Sequence, residues 1–184
     1  PNFVLINTDD LDLRAVEHMP SVQRLADAGI TFENFFVSTP SCCPSRTSLL
    51  RGQYVHNHGV LVNQPPVGGF PRLFELGLES STLATWLQGS GYRTALLGKY
   101  VNHYDGAPPG HVPPGWDYWL AIAGTSDGPS EPSSYYNYTL NRNGAIEQYG
   151  DAPEDYSTDV LGAEAVAFIR DAADQPFFLY WTPF

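Results

Sequence analysis

The sequence predicts an α/β domain whose sheet is mostly parallel. Two observations carry this. Short apolar runs alternate with segments of helical spacing, and the first and last runs are apolar at successive residues, as strands covered on both faces are. The first run, Phe3-Val4-Leu5-Ile6-Asn7, leads into Thr8-Asp9-Asp10, so a buried strand delivers two carboxylates to its C-terminal edge. Residues 20–28 have helical spacing at Val22, Leu25 and Ala26, with Pro20 opening the helix and Gly29 stopping it. Residues 30–37 are β-branched and aromatic and read as a strand. Residues 44–51 read as a helix with Pro44 in its first turn and Gly52 as its stop. A further helix over 81–88, capped by Ser80 or Ser81 and closed by Gly89, leads to a strand over 93–97 that ends at Gly98-Lys99.

Residues 100–134 are rich in Pro, Gly and aromatics and read as an irregular surface excursion. Segments 135–140 and 145–149 flank Asn141-Arg142-Asn143-Gly144, a hairpin turned at Asn143-Gly144. A helix over 158–172 and a final buried strand over 176–181 complete the pattern, and no internal repeat is present. A strand of that kind belongs inside a sheet, where a crossover and a covering helix should follow. Residues 1–184 are therefore expected to form the N-terminal portion of one larger catalytic domain.

Composition narrows the function classes. A chain of 184 residues with 42% apolar content can bury a sizeable core. A net charge of −11 argues against a nucleic-acid surface and against a broad face for a long polyanion, since both need clustered Lys and Arg. Any anionic ligand must be held in a local positive pocket, and Lys99 is the sole lysine. No apolar run reaches the length of a membrane span. The two cysteines, Cys42 and Cys43, are adjacent and cannot staple distant parts of the fold.

Cys42 lies just before a helix start, where free N–H groups and the helix dipole favour an anion, with Arg46 one turn on. A thiolate nucleophile is one reading, though the local sequence offers no partner base. The pair Asp9-Asp10 suggests another. Two close carboxylates repel unless a hard divalent cation lies between them, Ca²⁺ or Mg²⁺ rather than a thiophilic metal. A cation, an arginine, a helix N-terminus and the single lysine together suit a small tetrahedral oxyanion ester.

Cys42-Cys43-Pro44-Ser45-Arg46 followed by Leu50-Arg51-Gly52 resembles the signature of the formylglycine-dependent sulfatases, Cys-x-Pro-Ser-Arg with a downstream Leu-Thr-Gly. "PNFVLINTDD", "GQYVHNHGV" and "LLGKY" resemble further family segments in the family's order. "LLGKYVNHYDG", "VPPGWDYW" and "YYNYTLNRNG" are similar to the N-acetylglucosamine-6-sulfatases and the extracellular heparan-sulfate 6-O-endosulfatases. The resemblance covers essentially the whole chain and implies an alkaline-phosphatase-like α/β fold.

It also implies roles. Cys42 would be converted to formylglycine (3-oxoalanine) by a formylglycine-generating enzyme that reads Pro44 and Arg46. Asp9, Asp10 and the residue 42 hydrate would hold Ca²⁺, with Mg²⁺ the second choice, and Arg46 would steady the hydrate. Cys43 stands at the variable position as a small packed residue. Lys99 would contact sulfate. Many sulfatases have a histidine two residues after that lysine; here Val101 stands there, which leaves the leaving-group acid unassigned. Asn102 matches the glucosamine-6-sulfatase branch, and with His103 is a candidate substrate contact. His56 and His58 read as histidines that satisfy backbone groups. Trp116, Tyr118 and Trp119 suit either a sugar-stacking platform or the packing of a Pro-rich loop.

The expected activity is sulfate-ester hydrolysis on a carbohydrate such as an amino-sugar 6-O-sulfate, or on a small sulfate ester, in a secreted, periplasmic or lysosomal setting. Phosphonate monoester or phosphodiester hydrolysis by the same nucleophile is the alternative within the superfamily. A non-catalytic fragment that binds sulfated ligands is the alternative outside it. The 184 residues alone are expected to be inactive, because the family's remaining metal ligands and second lysine lie in segments this sequence does not contain.

Overall fold

The computed structural model describes residues 1–125 and 135–184. The elements are β1 (Phe3–Ile6), α1 (Leu13–Val16), α2 (Pro20–Ala28), α3 (Cys42–Arg51), α4 (Val55–His58), α5 (Gly69–Glu75), α6 (Leu83–Gly89), β2 (Arg93–Gly98), β3 (Tyr118–Thr125), β4 (Tyr138–Arg142), β5 (Ala145–Gln148), α7 (Ser157–Asp171) and β6 (Phe177–Thr182). Among the described residues the strands form one six-stranded sheet in the order β1-β6-β2-β3-β4-β5. The β1/β6, β6/β2 and β2/β3 pairs are parallel, while β3/β4 and β4/β5 are antiparallel. The sheet is thus mostly parallel, as the alternation of strands and helices requires.

β6 lies between β1 and β2, with Leu179 opposite Val4 on one side and Ala95 on the other. The last apolar run is an interior strand, as its two-sided hydrophobicity predicts. Two cores flank the sheet. One face packs Leu96, Trp119, Ala121, Phe178 and Tyr180 against Leu50, Phe70, Leu73 and Ala84 from the helices. The other packs Ala95, Leu97, Leu120 and Leu179 against Leu161, Ala165 and Phe168 of α7. Alternating residues of β2, β3 and β6 serve the two faces, the period-2 rule of a strand covered on both sides.

Three expectations need correction. The first run is a strand but not a buried one: among the described residues β1 is an edge strand paired only with β6, and Phe3, Val4 and Ile6 are exposed, so a continuous apolar run alone does not guarantee cover on both faces. Residues 30–37 form no strand: Ile30, Phe32, Phe35 and Phe36 are exposed, and among the described residues no strand pairs with them. β-propensity describes a fit to a pleated, half-buried surface, and without a neighbouring strand the run has nothing to fit. Residues 118–125 are not irregular surface but β3, parallel to β2 and antiparallel to β4. Their apolar run was obscured by the surrounding Pro and Gly. Residues 100–117 are irregular as expected but not all surface, since Tyr100, Val101, Tyr104 and Trp116 are buried, and residues 126–134 lie outside the described residues. Of the two readings open for Trp116 and Trp119, packing is the one observed. Trp119 is fully buried, and Trp116 stacks on Phe178 with centroids 5.9 Å apart and tilts against Trp119 at 6.0 Å. Indole area of that size stabilises the core far more than it could an exposed loop.

β4 begins at 138 rather than 135 and runs through Asn141 and Arg142, which leaves Asn143-Gly144 as the turn. α1, α4 and α5 lie where the sequence reading offers no element, and the remaining boundaries shift by one or two residues. α3 starts at Cys42 rather than 44, with Pro44 in the first turn, where a missing N–H costs nothing. Gly52 ends it in the left-handed conformation. Gly98 has φ +114, and a Cβ there would sit 2.2 Å from the Thr182 carbonyl oxygen. Only glycine lets β2 end this close to β6, which places Lys99 at the sheet's carboxyl edge.

Candidate active site

The site assembles at the C-terminal ends of β1, β2 and β6, together with the N-terminus of α3. Beyond β1 the chain stays tied to β6's extension: the Asn7 N–H donates to the Trp181 carbonyl at 2.9 Å and the Asp9 N–H to the Pro183 carbonyl at 3.1 Å. Asp10 then adopts φ 52, a left-handed turn that aspartate tolerates better than most residues. That turn brings the two neighbouring carboxylates together. One oxygen from each carboxylate and the Cys42 Sγ all lie within 4.8 Å of one another.

Asp9 is held from two sides. Lys99 Nζ lies 2.5 Å from its Oδ2, and Arg46 Nη2 lies 3.2 Å from its Oδ1. Burial alone would raise the Asp9 pKa, but the hydrogen bond and charge of Lys99 and those of Arg46 outweigh it, so the carboxyl ionises below its usual range. Arg46 is buried and also donates through Nη1 to the Lys99 carbonyl at 2.6 Å. One guanidinium therefore joins α3, β1 and the end of β2. Lys99 is buried as well, with Nζ 5.3 Å from the Phe184 ring centroid. Asp9, Asp10, Cys42 and Arg46, with Asn7, Thr8, Ser41, Ser45 and parts of the 37–40 segment, line an open cleft of about 360 Å³.

The two cysteines differ. Cys42 is partly exposed in the cleft, whereas Cys43 is fully buried and burial pushes its thiol up to about 11. Cys43 is a small packed residue, as expected. His58 is sequestered: its Nδ1 accepts the Val60 N–H at 3.1 Å, so Nε2 carries the proton toward Ser48 Oγ at 2.9 Å. Burial lowers its basicity, and it serves the backbone as predicted. His56 is exposed and stacks on Tyr54. Neither occupies the cleft as a base for Cys42.

Asn102 and His103 do not line the cleft. The Asn102 carbonyl accepts the Phe70 N–H at 2.7 Å, its side-chain Oδ1 is buried without a partner, and His103 Nε2 meets Gln64 Oε1 at 2.6 Å. Val101 is buried in the core. Sequence reasoning missed Asn63, whose Oδ1 accepts from the Cys43 N–H at 2.8 Å and from Ser41 Oγ at 3.0 Å. The only available signal was a polar pair, Asn63-Gln64, ahead of Pro65-Pro66 in a turn.

Two acids, two buried cations and a cysteine at a helix start gather at the carboxyl edge of this sheet, and the mostly parallel sheet with helices on its faces has the alkaline-phosphatase-like α/β fold. A protein solved in complex with its substrate D-glucosamine-2-N,6-O-disulfate superposes with a TM-score of 0.77 over 100% of this chain and 34% of that one, at 24% identity, and shares that fold. The chain belongs to the sulfatase family, whose sequence profile, described as Sulfatase, matches residues 1–183. It is 40% identical over 179 residues to the extracellular sulfatase SULF-1 homolog of Drosophila melanogaster, covering 95% of this chain and 15% of that protein. It is 37% identical over 189 residues to human N-acetylglucosamine-6-sulfatase, covering 97% of this chain and 33% of that protein. The chain thus spans a third or less of the length of these two relatives.

Proposed function

We propose that the protein hydrolyses a sulfate ester on an amino sugar, a 6-O-sulfate in first place, with residue 42 as nucleophile in the form of formylglycine. The observation that carries this is the convergence of Cys42 with Asp9 and Asp10 within 4.8 Å, beside two buried cations. The names of the relatives and the sugar disulfate in the solved neighbour support the substrate class.

Formylglycine presents a hydrated aldehyde with two hydroxyls. With residue 42 in that form, one hydroxyl oxygen would attack sulfur as the bond from sulfur to the sugar oxygen breaks, the proton given up by that hydroxyl balancing the one taken by the leaving alcohol. The other hydroxyl would then lose its proton as the C=O re-forms and the C–O bond to sulfate breaks, and addition of water to the aldehyde would restore the two hydroxyls. A serine or thiol ester has no second hydroxyl with which to do this. The oxygens of Asp9 and Asp10 and of the residue 42 hydrate are hard donors that fit Ca²⁺, or Mg²⁺, as part of a shell of six or more. When bound, such a cation supplies Lewis-acid polarisation and charge neutralisation.

Lys99 uses one of its three ammonium protons on Asp9 and has others to offer a sulfate oxygen. Arg46 fixes Asp9 and thereby the pair of acids. The name of the extracellular sulfatase relative supports action outside the cytoplasm. The proposed form of residue 42 requires maturation by a formylglycine-generating enzyme. In the expected result, the Cys42 peptide of the protein made from its complete gene is about 18 Da lighter than the thiol form. The same preparation turns over an aryl sulfate and glucosamine 6-sulfate faster than matched phosphate and phosphonate esters. Full activity with an intact Cys42 thiol, or a preference for phosphonate, would overturn the proposal.

A further inference from the structure

We infer that Asn63 is a positioning residue for the nucleophile, a conclusion that builds on the role just proposed for residue 42. α3 is long enough to leave several free N–H groups at its start, yet its N-cap, Ser41, makes no side-chain capping bond of its own. Asn63 supplies the missing acceptor from across the fold. Because the Cys43 backbone group can only donate, the Asn63 atom facing it at 2.8 Å must be the amide oxygen. The same oxygen accepts from Ser41 Oγ at 3.0 Å. One carbonyl oxygen therefore ties the residues on both sides of Cys42, while Ser41's own carbonyl accepts from the Ser45 N–H at 3.0 Å. The residue 42 side chain is aimed into the cleft from a backbone clamped before and after it.

The clamp has a rigid base. Residues 61–69 fold back on themselves: the Leu61 N–H donates to the Val67 carbonyl at 2.8 Å and the Gly69 N–H to the Val62 carbonyl at 3.2 Å. Gly68 lies so close that a Cβ there would sit 1.8 Å from the Val62 oxygen. Gln64 meets His103, and Phe70 meets the Asn102 carbonyl, so the loop carrying Asn63 is also fastened to the segment after β2. Asn63 is not among the residues that line the cleft, and its side-chain hydrogen bonds go to Ser41 and Cys43 rather than to the acids or the buried cations. Its effect must pass through the placement of residue 42. A misplacement of about 1 Å at a reacting atom can cost roughly 100-fold in rate.

The test uses N63A and N63D in the protein made from its complete gene. N63A should lower kcat about 10- to 100-fold with KM nearly unchanged. Formylglycine content should stay the same, because the converting enzyme would read the local Cys-x-Pro-x-Arg segment. N63D keeps an acceptor oxygen toward Cys43 and Ser41 and should recover most of kcat, while its added negative charge raises KM for an anionic ester. Hydrogen exchange read at the Cys43 amide should be faster in N63A and restored in N63D. That readout is independent of turnover: a wild-type protein without sulfatase activity defeats the proposed function, while lost Cys43 protection in N63A still upholds the tether. Unchanged Cys43 exchange in N63A overturns the inference. So does a kcat in N63A equal to that of an active wild type, or equal losses of kcat in N63A and N63D.

Discussion

Replacing Lys99 with methionine removes one of the two cations on Asp9 while keeping most of the side-chain volume. The Nζ to Oδ2 separation is 2.5 Å, and the two side chains are only 7% and 10% exposed, so solvent screens the pair weakly. At an effective dielectric near 20 the gross attraction at that separation is about 7 kcal/mol, most of it offset by the cost of burying an ammonium. Asp9 is not left bare, because Arg46 remains 3.2 Å away. The net loss should therefore be about 2 kcal/mol, the worth of a charge-assisted hydrogen bond, rather than the roughly 3–5 kcal/mol of an orphaned buried charge.

The pH dependence identifies the cause. The folded-state pKa of Asp9 is depressed, so its stabilisation is fully present above the usual carboxylate range and is lost as pH falls through the folded value. Wild type and K99M, compared by urea unfolding, should differ by the full amount at neutral pH and converge toward the acid limit of the folded state. A difference under about 0.5 kcal/mol at pH 7, below the range of a charged hydrogen bond, would refute the reasoning. So would a difference that persists undiminished in acid, which would point to packing rather than the ion pair.

Glu79 offers a contrasting case. Burial raises its pKa despite His111 at 2.9 Å and Tyr100 at 3.1 Å, so the native state binds its proton more readily and its contribution to stability declines as pH rises through the folded value. E79Q, which keeps an acceptor for Tyr100, should flatten that dependence and stay within about 1 kcal/mol of wild type at pH 8, whereas E79A strands the buried hydroxyl and should lose about 1–3 kcal/mol by urea unfolding. For the metal site, calorimetry on residues 1–184 should find Ca²⁺ binding in about the millimolar range, since two carboxylates fill only part of a calcium shell. D10N should abolish it, and sub-micromolar binding by these residues would contradict the partial-shell argument.

Much of this molecule was legible as local pattern. The strands at 3–6, 93–98 and 177–182 follow from continuous apolar runs, the hairpin from Asn143-Gly144, and the Cys42 helix from Pro44 and Gly52. Asp9, Asp10, Cys42 and Arg46 could be nominated because each lies within a few residues of such a pattern, at a strand end or a helix start. Other features depend on partners that no window contains. Residues 30–37 have the composition of a strand and no neighbour to pair with, while 118–125 sit among Pro and Gly yet occupy the sheet's interior because β2 and β4 flank them. Lys99 meets Asp9 across 90 positions, and Asn63 reaches the Cys43 amide across 20. Propensity, capping and turn chemistry act over about one turn of chain, so the residues carry them in their order. Pairing, burial and ion-pair geometry arise only once distant segments are packed against one another, and it is the closed sheet that decides them.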